Sequence, residues 1–88
     1  MVWELHLQGC RSLKDKRRVL KSLKDRLHQD HHVAVAETAH QDRWQRAELS
    51  AVTVSNDRRH AERVLAAAEQ LVAGHPLARI IDSSLTFR

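Results

Sequence analysis

Between Ser12 and Asp30 stand Lys14, Lys16, Arg17, Arg18, Lys21, Lys24 and Arg26 against Asp15, Asp25 and Asp30, and seven minus three accounts for the chain's whole formal charge of +4. Cations concentrated on one segment raise the local potential and attract polyanions, phosphate backbones above all. At helical spacing Lys14, Arg17, Lys21 and Lys24 form a single row beside a leucine stripe, with Arg18 just outside it. A row of this kind can follow a phosphate backbone. A solvated face kept basic for solubility has the same sequence, and Asp15 and Asp25 offer local pairing. Lys16 falls inside the apolar stripe, where a lysine either snorkels or, this near a helix start, points at a bound anion.

Two further groups could extend that surface. Arg11, Ser12 and the unpaired backbone N–H groups of a first helical turn make a setting that favours anions. Facing them across one edge of the expected fold is a polar turn with His40, Gln41, Asp42, Arg43, Trp44 and Arg46. Trp44 could stack on a base, a contact worth about 1–3 kcal/mol, or its ring could cap the end of the core while Asp42 orders the turn. The candidate nucleic-acid-binding set is therefore Arg11, Lys14, Lys16, Arg17, Arg18, Lys21, Lys24, Arg43, Trp44 and Arg46.

Other chemistries find less support. His31 and His32 are expected to approach Asp57 and His60 at the far edge, but no helix carries the paired histidines of a zinc hydrolase and Cys10 has no second cysteine, so no metal ligand is assigned. Cys10 precedes a helix start amid Arg11 and Lys14, a setting that lowers a thiol pKa. No histidine–acid partner follows from spacing, and Cys10 is taken as a small turn residue. With no tyrosine, one phenylalanine and two glycines, the chain lacks the aromatic platform of an RNA-recognition motif and the glycine clamp of a KH domain. RNA contact would rest on shape and charge.

The elements that must position these residues follow from periodicity. Val2 to Leu7 alternates as a half-buried strand and Gly9 breaks it. Ser12 and Asp15 open a helix carrying Leu13, Leu20, Leu23 and Leu27 to near Asp30. His32 to His40 and Arg46 to Ser55 read as a hairpin. Ser55, Asn56 and Asp57 supply cap candidates for a second helix, striped by Ala61, Val64, Leu65, Ala68, Leu71 and Val72 and ended by Gly74 and Pro76. Ala78 to Phe87 makes the last strand. The order β-α-β-β-α-β implies a ferredoxin-like α+β sandwich, a four-stranded antiparallel sheet of order 4-1-3-2 with both helices on one face. The other face, with Glu4, His6, Glu48 and Ser50, is partly polar, and Val52 and Val54 would add an apolar patch suited to a partner or a second copy.

At 88 residues the chain is expected to form one domain, 1–88, without a deep cleft. A lone cysteine fits a reducing compartment, no apolar run approaches a membrane span, and Met1 leads directly into a strand with no signal peptide, so a cytoplasmic protein is expected. Acylphosphatases share this element order, and Gln8, Gly9, Cys10 and Arg11 are superficially similar to their phosphate-cradling turn. Leu13 and Lys14 stand where that family's loop ends in arginine, and Gln41 stands where an asparagine would orient water. No catalytic residue is assigned.

Ser12-Leu13-Lys14-Asp15-Lys16-Arg17-Arg18, then Ala36-Glu37-Thr38-Ala39-His40-Gln41-Asp42 with Trp44-Gln45-Arg46-Ala47, and Ser55-Asn56-Asp57 resemble the small bacterial YlxP-like family, a domain of unknown function. The resemblance spans nearly the whole chain, with Thr38-Ala39 standing where the family often has valine and aspartate. It implies a ferredoxin-like fold and a genomic neighbourhood of translation initiation and ribosome maturation genes, and marks His40, Gln41, Asp42, Asn56 and Asp57 as signature residues beside Lys14, Lys16 and Arg17. It implies no catalytic activity. Together these readings predict a non-catalytic accessory protein, without cofactor, that docks on RNA, with ribosomal RNA the target that the neighbourhood implies. The alternative is a protein–protein adaptor or homodimer acting through the open sheet face.

Overall fold

Strict alternation at the start of the chain sets the layers. Trp3, Leu5 and Leu7 are fully buried on one side of the first strand, while Val2, Glu4 and His6 turn to the other. The computed structural model describes residues 1–87 and has the order β1 (Val2–Leu7), α1 (Leu13–His31), β2 (Ala34–Ala39), β3 (Arg46–Val52), α2 (Arg58–Ala73) and β4 (Ala78–Ser84). The strands form one sheet of order β2-β3-β1-β4, with every neighbouring pair antiparallel. This is the ferredoxin-like α+β arrangement expected from the sequence.

Both helices pack on the face that carries Trp3, Leu5 and Leu7. Leu20, Leu23 and Leu27 of α1 meet Leu65, Ala68 and Val72 of α2 and Ala47, Leu49 and Ala51 of β3 in one core. The largest buried side chain, Trp3, donates its indole N–H to Glu69 of α2 at 2.9 Å, which satisfies a polar group that burial would otherwise penalise. Gly9 supplies the positive φ (79°) of the turn after β1, and Ser12 caps α1 by accepting the Asp15 N–H.

The elements are shorter than periodicity suggests at three ends. His32 takes a left-handed conformation (φ 55°) and caps α1 instead of starting β2, so β2 begins at Ala34. β3 stops at Val52, opposite Ala34, because β2 offers no partner beyond that pair. β4 stops at Ser84, opposite Val2, where β1 begins.

Candidate functional site

The basic row lies on α1 with its head groups outward. Lys14, Arg17, Arg18 and Lys21 are exposed and Lys24 is half-buried. Asp15, Arg18 and Ser22 border, with His75 and Leu77, a shallow concavity of about 470 Å³ on one flank of the helix. Lys14, Arg17, Lys21 and Lys24 occupy the other flank, along roughly 15 Å of helix axis. Among the described residues, Lys14, Arg17, Arg18 and Lys24 enter no ion pair. Lys21 pairs with Asp25 at 2.7 Å, which raises the lysine pKa through that hydrogen bond. Both side chains are well exposed, so the pair is easily exchanged for another anion.

Lys16 does not belong to this surface. Only 2% of its side chain is accessible, and its ammonium sits 2.7 Å from Glu37 Oε2 while donating a hydrogen bond to the His40 carbonyl oxygen at 2.6 Å. The apolar stripe places this lysine inward, and an anchored ammonium is the means by which a charge at that position is tolerated. It ties α1 to the end of β2 and cannot meet a phosphate.

The hairpin edge also differs from expectation. The start of α1 is already closed: Ser12 Oγ accepts from the Asp15 N–H, and the Asp15 carboxylate accepts from the Arg11 N–H at 3.1 Å. An anion at this terminus would meet a carboxylate first. Cys10 is buried beside the turn, and burial, with Asp15 adding to it, pushes its thiol pKa up, opposite to the lowering expected from its basic neighbours. Gln45 donates to the Cys10 carbonyl at 3.3 Å and so joins the two loops, as their expected adjacency requires.

His40 adopts a left-handed backbone (φ 64°) and its ring contacts Glu4 at 3.0 Å. Arg46 reaches the other Glu4 oxygen at 2.9 Å. Glu4 points away from the helix layer, so Arg46 lies on the opposite side of the sheet from α1 and cannot extend its footprint. The Arg46 hydrogen bond, with His40 adding to it, outweighs burial and holds the Glu4 carboxyl below its ordinary pKa. Gln41 donates to the Glu37 carbonyl at 3.4 Å, while Gln41, Asp42, Arg43 and Trp44 are exposed. Trp44 is 52% accessible and therefore does not cap the core.

At the far edge Asp57 caps α2, accepting from the Arg59 N–H at 2.9 Å, and Asn56 is exposed. His31, His32, Asp57 and His60 do not gather: among the described residues no three metal-binding side chains stand close enough to share an ion. Val52 ends β3 on the open face, and Val54 lies beyond the strand, almost fully exposed. Sequence reasoning missed Glu37, Glu69 and Glu4, each a partner across elements, because helical or strand periodicity says nothing about which distant polar group meets another. No described helix is long and apolar enough to cross a membrane.

Two comparisons place the chain. A Bacillus subtilis (strain 168) protein named "Uncharacterized protein YlxP" is 39% identical over 54 residues, a stretch that covers 61% of this chain and 59% of that protein. The family model described as "Protein of unknown function (DUF503)" matches residues 1–85, nearly the whole of both layers and all four strands, and the chain belongs to that YlxP-like family.

Proposed function

We propose that the protein is a non-catalytic accessory factor that docks on structured RNA, with ribosomal RNA as the first candidate, through Lys14, Arg17, Arg18, Lys21 and Lys24. The observation that carries this reading is the outward row of Lys14, Arg17, Lys21 and Lys24 on α1 with Arg18 just outside it, four of these five cations without an intramolecular ion pair among the described residues. A rigid helix holding these groups in line suits contact with a phosphate backbone, and the absence of an aromatic platform suits recognition by shape and charge. Arg11, Arg43 and Trp44, exposed near the start of α1 and in the adjoining hairpin turn, would widen the contact.

Because each phosphate contact releases counterions, five such contacts predict a log–log salt slope of about −4. Reversing Arg17→Glu and Lys21→Glu, both exposed, should leave the fold intact, remove cosedimentation with ribosomal particles and reduce the slope on a structured RNA by about 2. Cosedimentation of this double variant at the native level would overturn the reading.

A further inference from the structure

The sheet face away from the helices carries its charges in two rows. Register places Glu48 of β3, Glu4 of β1 and Asp82 of β4 side by side, and next to them Arg46, His6 and Arg79 on the same three strands. Asp82 joins the acidic row because Ile81 is an extra residue between the pairs Glu4–Asp82 and Leu5–Ile80, so Arg79 and Asp82 share a face despite an odd spacing. Glu4 is engaged by Arg46 and His40, and Glu48 by the Thr38 hydroxyl. Among the described residues the side chains of His6, Arg79 and Asp82 have no ion pair. Like charges directly across neighbouring strands destabilise a sheet. Here Glu4 has an acid on each side, while Arg46 and Arg79 flank His6, and a single copy offsets the acidic row only in part.

We propose that this face binds a second copy of the same chain about a two-fold axis that runs across the strands, between the rows. A two-fold axis along the strands would lay acid on acid. The axis across them lays each acidic row on the basic row of the other copy, and the contact is then isologous and closed. Asp82 of each copy meets Arg79 of the other, Glu48 meets Arg46, and Glu4 meets His6 near the centre. Four strands about 4.8 Å apart and some 20 Å long give a face below the area of a standard interface, so the dimer is weak and salt-sensitive. This surface lies on the opposite side of the sheet from α1 and goes beyond the RNA reading, which does not depend on it.

Sedimentation velocity of the full chain at high micromolar concentration tests the arrangement. The native protein should be a dimer at low salt and dissociate as salt rises. Arg79→Asp and Asp82→Arg, both at exposed positions, should each weaken self-association about tenfold or more. Mixing the two single variants should restore a dimer, because one offers acids at both positions and the other bases, and combining both changes in one chain should restore it too. A monomeric native chain, single variants that dimerise as the native chain does, or a mixture that fails to associate would each overturn the proposal. Binding of this face to an RNA or to another protein, with the native chain monomeric, would do the same.

Discussion

Replacing Lys16 by methionine isolates what the buried ammonium contributes, since methionine keeps most of the aliphatic stem and removes the charge. The lysine side chain is 2% exposed and Glu37 is 21% exposed. Breaking a fully buried pair from one side costs about 3–5 kcal/mol, but Glu37 keeps access to water and can rehydrate in part. The His40 carbonyl also loses its donor, worth about 1 kcal/mol. The two effects together predict a loss of about 2–3 kcal/mol, or a fall in Tm of roughly 10–20 °C for a chain of this size. Native stability for such a chain is about 4–13 kcal/mol, so the loss is a large fraction of it. Urea unfolding followed by far-UV circular dichroism measures the change. Adding Glu37→Gln should recover at least half of it, giving a coupling of about 1–3 kcal/mol in the double-mutant cycle. A cost below about 0.5 kcal/mol, the size expected of an exposed pair, would refute the anchor, as would a Glu37→Gln effect that simply adds. RNA affinity of the folded fraction should not change, which separates this lysine from its neighbours on α1.

Glu69→Ala leaves the indole N–H of Trp3 without an acceptor in the core and should cost about 1–3 kcal/mol, while Glu69→Gln, which keeps an oxygen, should cost less; equal losses in urea unfolding would argue against the hydrogen bond. Burial raises the Cys10 thiol pKa, so a disulfide reagent should modify it far more slowly in the native protein than in urea, and equal rates would contradict the placement. Glu4 is held below its ordinary pKa by the Arg46 hydrogen bond, and His75 by burial and the nearby Arg26. Both therefore bind fewer protons folded than unfolded, and stability rises with pH through each window. It should be intact above about pH 7, decline as pH falls below the ordinary histidine value near 6.5, and decline again below about pH 4.3. A urea midpoint that increases on acidification would show the signs to be wrong.

Local chemistry made the layers legible. Alternation in Val2–Leu7, the Ser12 and Asp57 caps and the Gly74–Pro76 stop fall where the elements begin and end, because each is decided by residues within one turn of one another. The outward row on α1 was legible for the same reason. Lys16 shows where that reasoning stops: its position in the stripe announced burial, but its anchor lies 21 residues on at Glu37 and 24 residues on at the His40 carbonyl, a distance only the folded sheet closes.

The charge rows of the open face were out of reach for a sharper reason. Counted by simple alternation from Arg79, which lies opposite His6, position 82 falls on the helix side of β4, and Asp82 would then be a buried or edge acid with no bearing on Glu4. One extra residue at Ile81 reverses that parity and sets Asp82 beside Glu4. A strand's period of two makes a single inserted residue change the face of everything beyond it. Sequence patterning therefore fixes which residues of β4 are charged, whereas the bulge decides whether they stand with β1 and β3 as a continuous acidic row. Deleting Ile81 removes the extra residue and leaves Leu5–Ile80 and Glu4–Asp82 as consecutive pairs of a regular ladder, so such a variant should keep Asp82 in the acidic row and still self-associate, whereas loss of self-association would show that the bulge does not set this register.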